Sequence, residues 1–285
     1  MKKIKEIILL GALMISGTAL ADLKTGLVAH YSFDDCTAKD VSGKGHDGVL
    51  NGNISCVDGI VNKGLLFDGV DSYIDINVPL VGTENWSVCA WINIANIDSA
   101  YTDWQSIVTA VNGAGREVTE LGFPTASKAF NIYPDVSAKS GTAVVKKDTL
   151  MCFTKKAGNL SIFKNGVKIA GGAGSADFVA LKTIGMWQPL ESSPYDKEPF
   201  NGVIDEVRAY KRTLSASEIS EMYRVTIDVQ GGVYGYKFFS VECNNKTTGQ
   251  IVSISQSIKD FNCETEGLVI NSGDVVDVTI SGTAH

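Results

Sequence analysis

The sequence predicts an all-β protein, a two-sheet antiparallel sandwich or barrel followed by a small second β domain. Three observations lead there. Short apolar or alternating runs recur between Gly, Asn, Asp and Ser, the pairs Asn-Gly and Asp-Gly punctuate them, and a helical pattern occurs with conviction in a single short segment. At 285 residues, 44% hydrophobic and 20% charged, the composition excludes collagen, coiled coil and general disorder. The length suits two unequal domains, each able to bury a core.

Residues 1–21 read as an export signal. Lys2, Lys3 and Lys5 precede an apolar run over 7–20, and Ala19-Leu20-Ala21 stands before Asp22 as a cleavage site. The run is shorter than the roughly 20 residues that span a bilayer, and no later stretch is longer. The expectation is a soluble, exported chain without membrane insertion, ending in a periplasm, at a cell surface or outside the cell. Cleavage removes three Lys and one Glu, so the formal net charge goes from −7 to −9. An acidic chain is a poor partner for nucleic acid, whose affinity comes largely from basic patches.

Strand-like runs follow at 27–33, 73–78, 86–94, 106–110, 160–163 and 203–210. Asn165-Gly166 separates two such runs and supplies the positive φ angles of a type I′ hairpin. Asn51-Gly52, Asp58-Gly59 and Asp68-Gly69 are further turn candidates. The helix begins at Leu214-Ser215-Ala216-Ser217-Glu218-Ile219, where Ser215 and Glu218 form a capping box and Leu214 staples onto Ile219; its end is placed near Arg224. From there the texture changes. Apolar positions alternate at Val225, Ile227 and Val229, at Val252 and Ile254, and at Val276, Val278 and Ile280. The boundary is therefore set near Val225, with 22–225 as the sandwich and 226–285 as the small β domain.

Six cysteines, Cys36, Cys56, Cys89, Cys152, Cys243 and Cys263, form no CxxC, and in an exported chain an even count favours disulfides. Fifteen pairings are possible. Locality favours Cys36 with Cys56 and Cys243 with Cys263, which leaves Cys89 with Cys152.

Four stretches carry a resemblance: Gly26-Leu27-Val28-Ala29-His30-Tyr31-Ser32-Phe33-Asp34, Asp40-Val41-Ser42-Gly43-Lys44-Gly45-His46-Asp47-Gly48, Leu66-Phe67-Asp68-Gly69-Val70-Asp71-Ser72-Tyr73-Ile74 and Phe200-Asn201-Gly202-Val203-Ile204-Asp205-Glu206-Val207-Arg208-Ala209-Tyr210. With Trp86-Ser87-Val88-Cys89-Ala90-Trp91-Ile92 and the helix start, their order and spacing over 24–224 resemble the bacterial laminin G-like, concanavalin A-like jelly-roll domains. The resemblance implies two antiparallel sheets packed face to face, a structural calcium ion, and a role in binding glycans or proteins outside the cell. It implies Asp34, Asp40 and Asp205 as calcium side-chain ligands, since the oxygen-rich loop of 34–46 lies against the segment of Asp205 in such domains. Lys44 and His46 stand where the family often has Asn, so only their backbone carbonyls are implied. The tail is not covered.

The fold so implied also hosts glycoside hydrolases, which need two carboxylates flanking the scissile bond. The nearest look-alikes are 72–77, with one carboxylate, and Asp205-Glu206, whose adjacency places them on opposite faces of a strand. Glu206 and Arg208 read instead as a same-face ion pair. His30, His46 and His285 have no Gly-x-Ser-x-Gly serine to serve, and Ala170-Gly171-Gly172-Ala173-Gly174-Ser175 lacks the Lys-Ser or Lys-Thr of a phosphate loop. No catalytic residue is assigned. Glycan binding would use aromatics off the regular strands: Tyr101 and Trp104 in 98–104, and Trp187 and Tyr195 in 185–200, beside Glu191, Asp196 and Glu198. Trp86 and Trp91, in a dense apolar run, are assigned to the core. The sequence thus predicts an exported, non-enzymatic module that recognises a glycan or, alternatively, an extracellular protein as an adhesive or structural element.

Overall fold

The computed structural model describes residues 23–80, 84–97, 104–112, 114, 117–137, 142–176, 178–187, 197–230, 236–245, 251–256 and 276–284. The export segment 1–21, Tyr101, Tyr195 and Cys263 lie outside the described residues.

Two antiparallel sheets form a sandwich, as the sequence predicts. The eight-stranded sheet runs Val167–Ala173, Asn159–Lys164, Asp148–Lys156, Asn85–Ile94, Asn201–Tyr210, Lys63–Asp68 and Ser55–Asp58, with Leu27–Tyr31 paired to the C-terminal half of Asn201–Tyr210. The seven-stranded sheet runs Val136–Ser137, Asn131–Tyr133, Glu117–Pro124, Trp104–Val111, Ala180–Ile184, Tyr73–Pro79 and Val49–Asn51. Spatial neighbours such as Asn85–Ile94 and Asn201–Tyr210 are far apart in sequence, as a jelly roll requires. One continuous core joins the inner faces: Tyr31, Phe67, Val88, Ile92 and Phe153 from the first sheet meet Ile74, Val108, Leu121, Phe123 and Ile184 from the second. Exclusion of this apolar surface from water is the main force holding the sheets together.

Asn85–Ile94 reads as nearly continuous apolar sequence because both of its faces are covered. Trp86, Val88, Ala90, Ile92 and Ile94 point inward, while Cys89 and Trp91 face a second cluster with Leu150, Cys152, Phe163 and Tyr210. A helix, Ala216–Gln230, closes that cluster with Ile219 and Met222, and Tyr223 stacks on Trp91 at 5.7 Å. Ser87, on the same outer face, fixes the helix entry: its hydroxyl donates to the Arg212 carbonyl at 3.0 Å and accepts from the Leu214 N–H at 2.8 Å. The capping box is present, with the Ser215 N–H donating to Glu218 Oε2 at 2.7 Å and the Glu218 N–H donating to Ser215 Oγ at 3.2 Å.

The helix does not end near Arg224 as expected. It continues to Gln230, so Val225, Ile227 and Val229 are helical and the position chosen for the boundary falls inside the helix. Once a capped first turn exists, each further residue adds a hydrogen bond at little cost, and three alternating apolar positions are too few to compete. Beyond it, Tyr236–Asn245 is the central strand of a three-stranded antiparallel sheet flanked by Ile251–Gln256 and Val276–Ala284.

Cys36–Cys56 and Cys89–Cys152 are disulfides, and Cys89 and Cys152 stand opposite one another on adjacent strands. Cys243 lies on Tyr236–Asn245, and its expected partner Cys263 is outside the described residues. Asn165 and Gly166 take φ of 52° and 80° between Asn159–Lys164 and Val167–Ala173, the predicted hairpin. At Asp58-Gly59 the positive φ belongs to Asn62, because the turn closes from the Gly59 N–H to the Asn62 carbonyl.

Candidate functional site: the outer face of the seven-stranded sheet

Register decides which side chains this face presents. Ile74, Ile184, Val108, Leu121 and Ile132 pair across successive strands and form a core row. Their chain neighbours Asp75, Thr183, Thr109, Glu120 and Tyr133 form the parallel row, which alternation turns to the opposite, outer face. The contacts agree: Thr109 and Thr183 hydroxyls lie 2.6 Å apart, Ser106 donates to Glu120 Oε1, and Lys182 Nζ reaches Asp75 Oδ1 at 2.5 Å. The middle of the row is nonetheless buried. A two-stranded ribbon, Met186–Trp187 with Glu198–Pro199, sits beside Trp104–Val111, tied by the Gly185 N–H to the Ile107 carbonyl at 3.0 Å and by the Thr183 hydroxyl to the Met186 carbonyl.

One end of the face carries an aromatic platform. Trp104 opens the strand Trp104–Val111 and is paired with Pro124; it is on a strand rather than in the loop the sequence suggested, because the ladder with Glu117–Pro124 extends two residues beyond the apolar run. Its indole lies over Gly122, where a Cβ would come within 2.7 Å of Nε1 and 2.2 Å of the Gln105 carbonyl oxygen, so only glycine leaves room. Tyr133 meets Trp104 edge to face, with centroids 5.8 Å apart, and is 49% exposed. Asn131, paired with Gly122, shares this face. Trp187 is half-buried on the ribbon opposite Glu198. Of the four predicted ligand-binding aromatics, Trp104 and Trp187 thus lie on elements of this face, while Tyr101 and Tyr195 are not described. Tyr133, Glu120, Asn131 and Gly122 were not predicted. Only the register reveals them, since nothing local marks one glycine as the floor beneath a tryptophan.

Of the predicted metal ligands, Asp205 lies on a strand of the eight-stranded sheet, and Asp34 and Asp40 lie in the connection that follows Leu27–Tyr31. Asp40 Oδ1 accepts the N–H groups of His30 and Ser42 at 3.0 and 2.9 Å, and Oδ2 accepts that of His46 at 3.0 Å. Burial works against its charge, but these hydrogen bonds prevail and hold the carboxyl below its ordinary range. Asp205 is fully buried, with Oδ2 accepting the Val61 N–H at 2.8 Å and Oδ1 the Glu206 N–H at 2.7 Å. Burial pushes its carboxyl up to about 8 against the Val61 hydrogen bond, and the neighbouring Glu206 charge adds to the rise. Asp34 is exposed and accepts from the Lys63 N–H at 3.4 Å. Among the described residues no three His, Cys, Asp or Glu side chains converge to hold a metal ion. Asp34, Asp40 and Asp205 each accept from a separate backbone donor, which leaves lone pairs on every carboxylate, and calcium at these positions stays what the family resemblance implies.

Glu206 and Arg208 form the expected ion pair, and His30 Nε2 joins it at 2.8 Å from Glu206 Oε2. Burial opposes the Glu206 charge, but the His30 hydrogen bond and Arg208 outweigh it and lower its pKa. The expected opposite-face placement of Asp205 and Glu206 does not hold. A bulge between Asp205 and Arg208, with Glu206 at φ 51°, interrupts the alternation there.

On the seven-stranded sheet, Asp75 and Glu120 share a row but stand three inter-strand steps apart, about 14 Å. Glycoside hydrolysis requires roughly 5 to 9.5 Å between its carboxylates.

A family profile described as the Concanavalin A-like lectin/glucanases superfamily matches residues 68–220. Among solved structures, domain 4 of an extracellular arabinanase from Geobacillus stearothermophilus, in complex with arabinotriose, is similar with a TM-score of 0.54 at 21% identity, covering 69% of this chain and 98% of that one. The binding domain of botulinum neurotoxin DC in complex with SialylT gives a TM-score of 0.55 at 14% identity, covering 84% and 64%. A Trypanosoma rangeli sialidase mutant displaying trans-sialidase activity gives 0.54 at 17% identity, covering 71% of this chain but 33% of the sialidase. At these identities the likeness is one of fold. No curated protein sequence matches this one.

Proposed function

The chain belongs to the concanavalin A-like lectin/glucanases superfamily, and from that premise we propose that it is an exported, non-catalytic module that binds glycan at the Trp104–Tyr133 platform. The observation that carries this reading is an indole held over Gly122 and set edge-on to a half-exposed tyrosine, beside Asn131 on the same face. Sugar rings pack their C–H faces on such aromatics while amide and carboxylate groups take the hydroxyls. The glycan complexes of the arabinanase domain and the neurotoxin binding domain support it by analogy of fold. Export is supported by two disulfides, and among the described residues no helix is long and apolar enough to cross a membrane.

A broad glycan array on residues 22–285 with disulfides intact tests the reading. Binding to one sugar class that Trp104→Ala weakens is the expected result; a blank array from a folded sample removes it. A second reading, capture of an extracellular protein, is favoured by the edge strand Val49–Asn51, where Val49 is 63% exposed and one side of the strand has no partner strand among the described residues. A blank array together with loss of partner capture on Val49→Lys would support that alternative.

A further inference from the structure

Resting on the glycan reading, we propose that the ligand is an anionic glycan: Lys128, Lys146, Lys147 and Lys164 border the Trp104–Tyr133 platform and pair with carboxylate or sulfate groups along the sugar chain.

The backbone brings these four lysines to one end of the sandwich. Lys128 closes the turn after Glu117–Pro124, its N–H donating to the Pro124 carbonyl at 2.8 Å, and Pro124 is the ladder partner of Trp104. The segment 142–147 is fastened to that turn by the Ala143 N–H on the Lys128 carbonyl at 2.7 Å. It is fastened to the end of Asn85–Ile94 by the Lys146 N–H on the Ile94 carbonyl, also at 2.7 Å. Lys164 arrives from the eight-stranded sheet. Its Nζ donates to the Thr142 carbonyl at 2.8 Å and lies 5.8 Å from the centroid of Phe130, one residue before the strand Asn131–Tyr133.

None of the four enters an ion pair among the described residues, whose cationic partners in such pairs are His30, His46, Lys63, Lys182, Arg208 and Arg212. The carboxylate nearest in sequence, Asp148, instead accepts from Asn93 Nδ2 at 2.6 Å. In a chain of net charge −7, four cations without carboxylate partners at one end are a local reversal of sign. Burial first, and then the Lys147 charge, holds the Lys164 ammonium below its ordinary range, and a bound anion offsets the Lys147 repulsion. Lys146 and Lys147 are exposed, so an extended polyanion reaches them without rearrangement. A glycan is favoured over a lipid surface because the lysines gather at the end of the sandwich where Pro124 pairs with Trp104, near aromatics suited to sugar rings.

The test compares binding of the mature chain to dextran sulfate, polygalacturonate and unsubstituted dextran at low and high salt. The double variant Lys146→Glu/Lys147→Glu and Trp104→Ala are measured beside it, each checked for unchanged melting. The expected result is binding to one or both polyanions over dextran, weakened by salt, and lowered at least about tenfold by the lysine variant and by Trp104→Ala. Sulfate and carboxylate sources are separated by which polymer binds. Binding to neutral glycans without preference for either polyanion overturns the anionic ligand and leaves the glycan reading standing; no binding to any glycan overturns both. Polyanion binding that Trp104→Ala leaves intact overturns the shared site. Tighter binding to phosphatidylglycerol vesicles than to either polymer assigns the lysines to a lipid surface and overturns the proposal.

Discussion

Tyr133 is a residue at which recognition and stability come apart. Tyr133 is about half exposed and, among the described aromatic rings, packs on Trp104. Tyr133→Ala is therefore expected to leave the melting temperature within a few degrees while lowering glycan affinity about tenfold, roughly 1.4 kcal/mol. Gly122→Ala is expected to weaken the same binding without offering any group to the sugar, because its Cβ collides with the indole nitrogen and the Gln105 carbonyl. Calorimetric titration of both variants checks this, and full affinity in Gly122→Ala would show that the indole position is immaterial. Asp205 makes a different prediction. Its folded-state pKa is raised to about 8, mainly by burial, so its contribution is fully present below the unfolded carboxylate value and is lost as pH rises through about 8. Melting temperature should fall between about pH 5 and 8, and Asp205→Asn should flatten that slope whatever its effect on overall stability. A structural calcium ion at Asp34, Asp40 and Asp205 predicts a lower melting temperature in chelator, and an unchanged melting temperature would contradict it.

Elements were legible where one local signal sufficed. The hairpin at Asn165-Gly166 follows from two positive φ angles that few residue pairs adopt. The helix start follows from Ser215 and Glu218, and Ser215→Ala is expected to cost about 1 kcal/mol, read as a lower denaturation midpoint. An unchanged midpoint would mean that burial of Leu214 and Ile219 alone fixes the entry. The helix end was not legible, since Val225, Ile227 and Val229 carry the period of a strand while the chain continues the helix. The bulge at Glu206 was equally hidden. Strand alternation separates Asp205 from Glu206, and an inserted residue undoes it without any glycine to announce it.

For the whole molecule, the sandwich was legible because its strands alternate and its central strand is apolar on both faces. Cys36–Cys56 was legible from locality, and Cys89–Cys152 only as the pair left over once the local pairs were drawn. The site was legible only in part. Trp104 and Trp187 can be chosen as aromatics outside the apolar runs, but Tyr133, Gly122 and Glu120 join them through strand pairings that no single sequence contains. The same is true of the lysines, which come from one strand and two connecting segments. The measurement that bears most directly on the central claim is a glycan array on the mature, oxidised chain beside its Trp104→Ala and Tyr133→Ala variants. The account predicts one bound sugar class whose signal falls in both variants at unchanged folding; a bound class indifferent to both substitutions would contradict it.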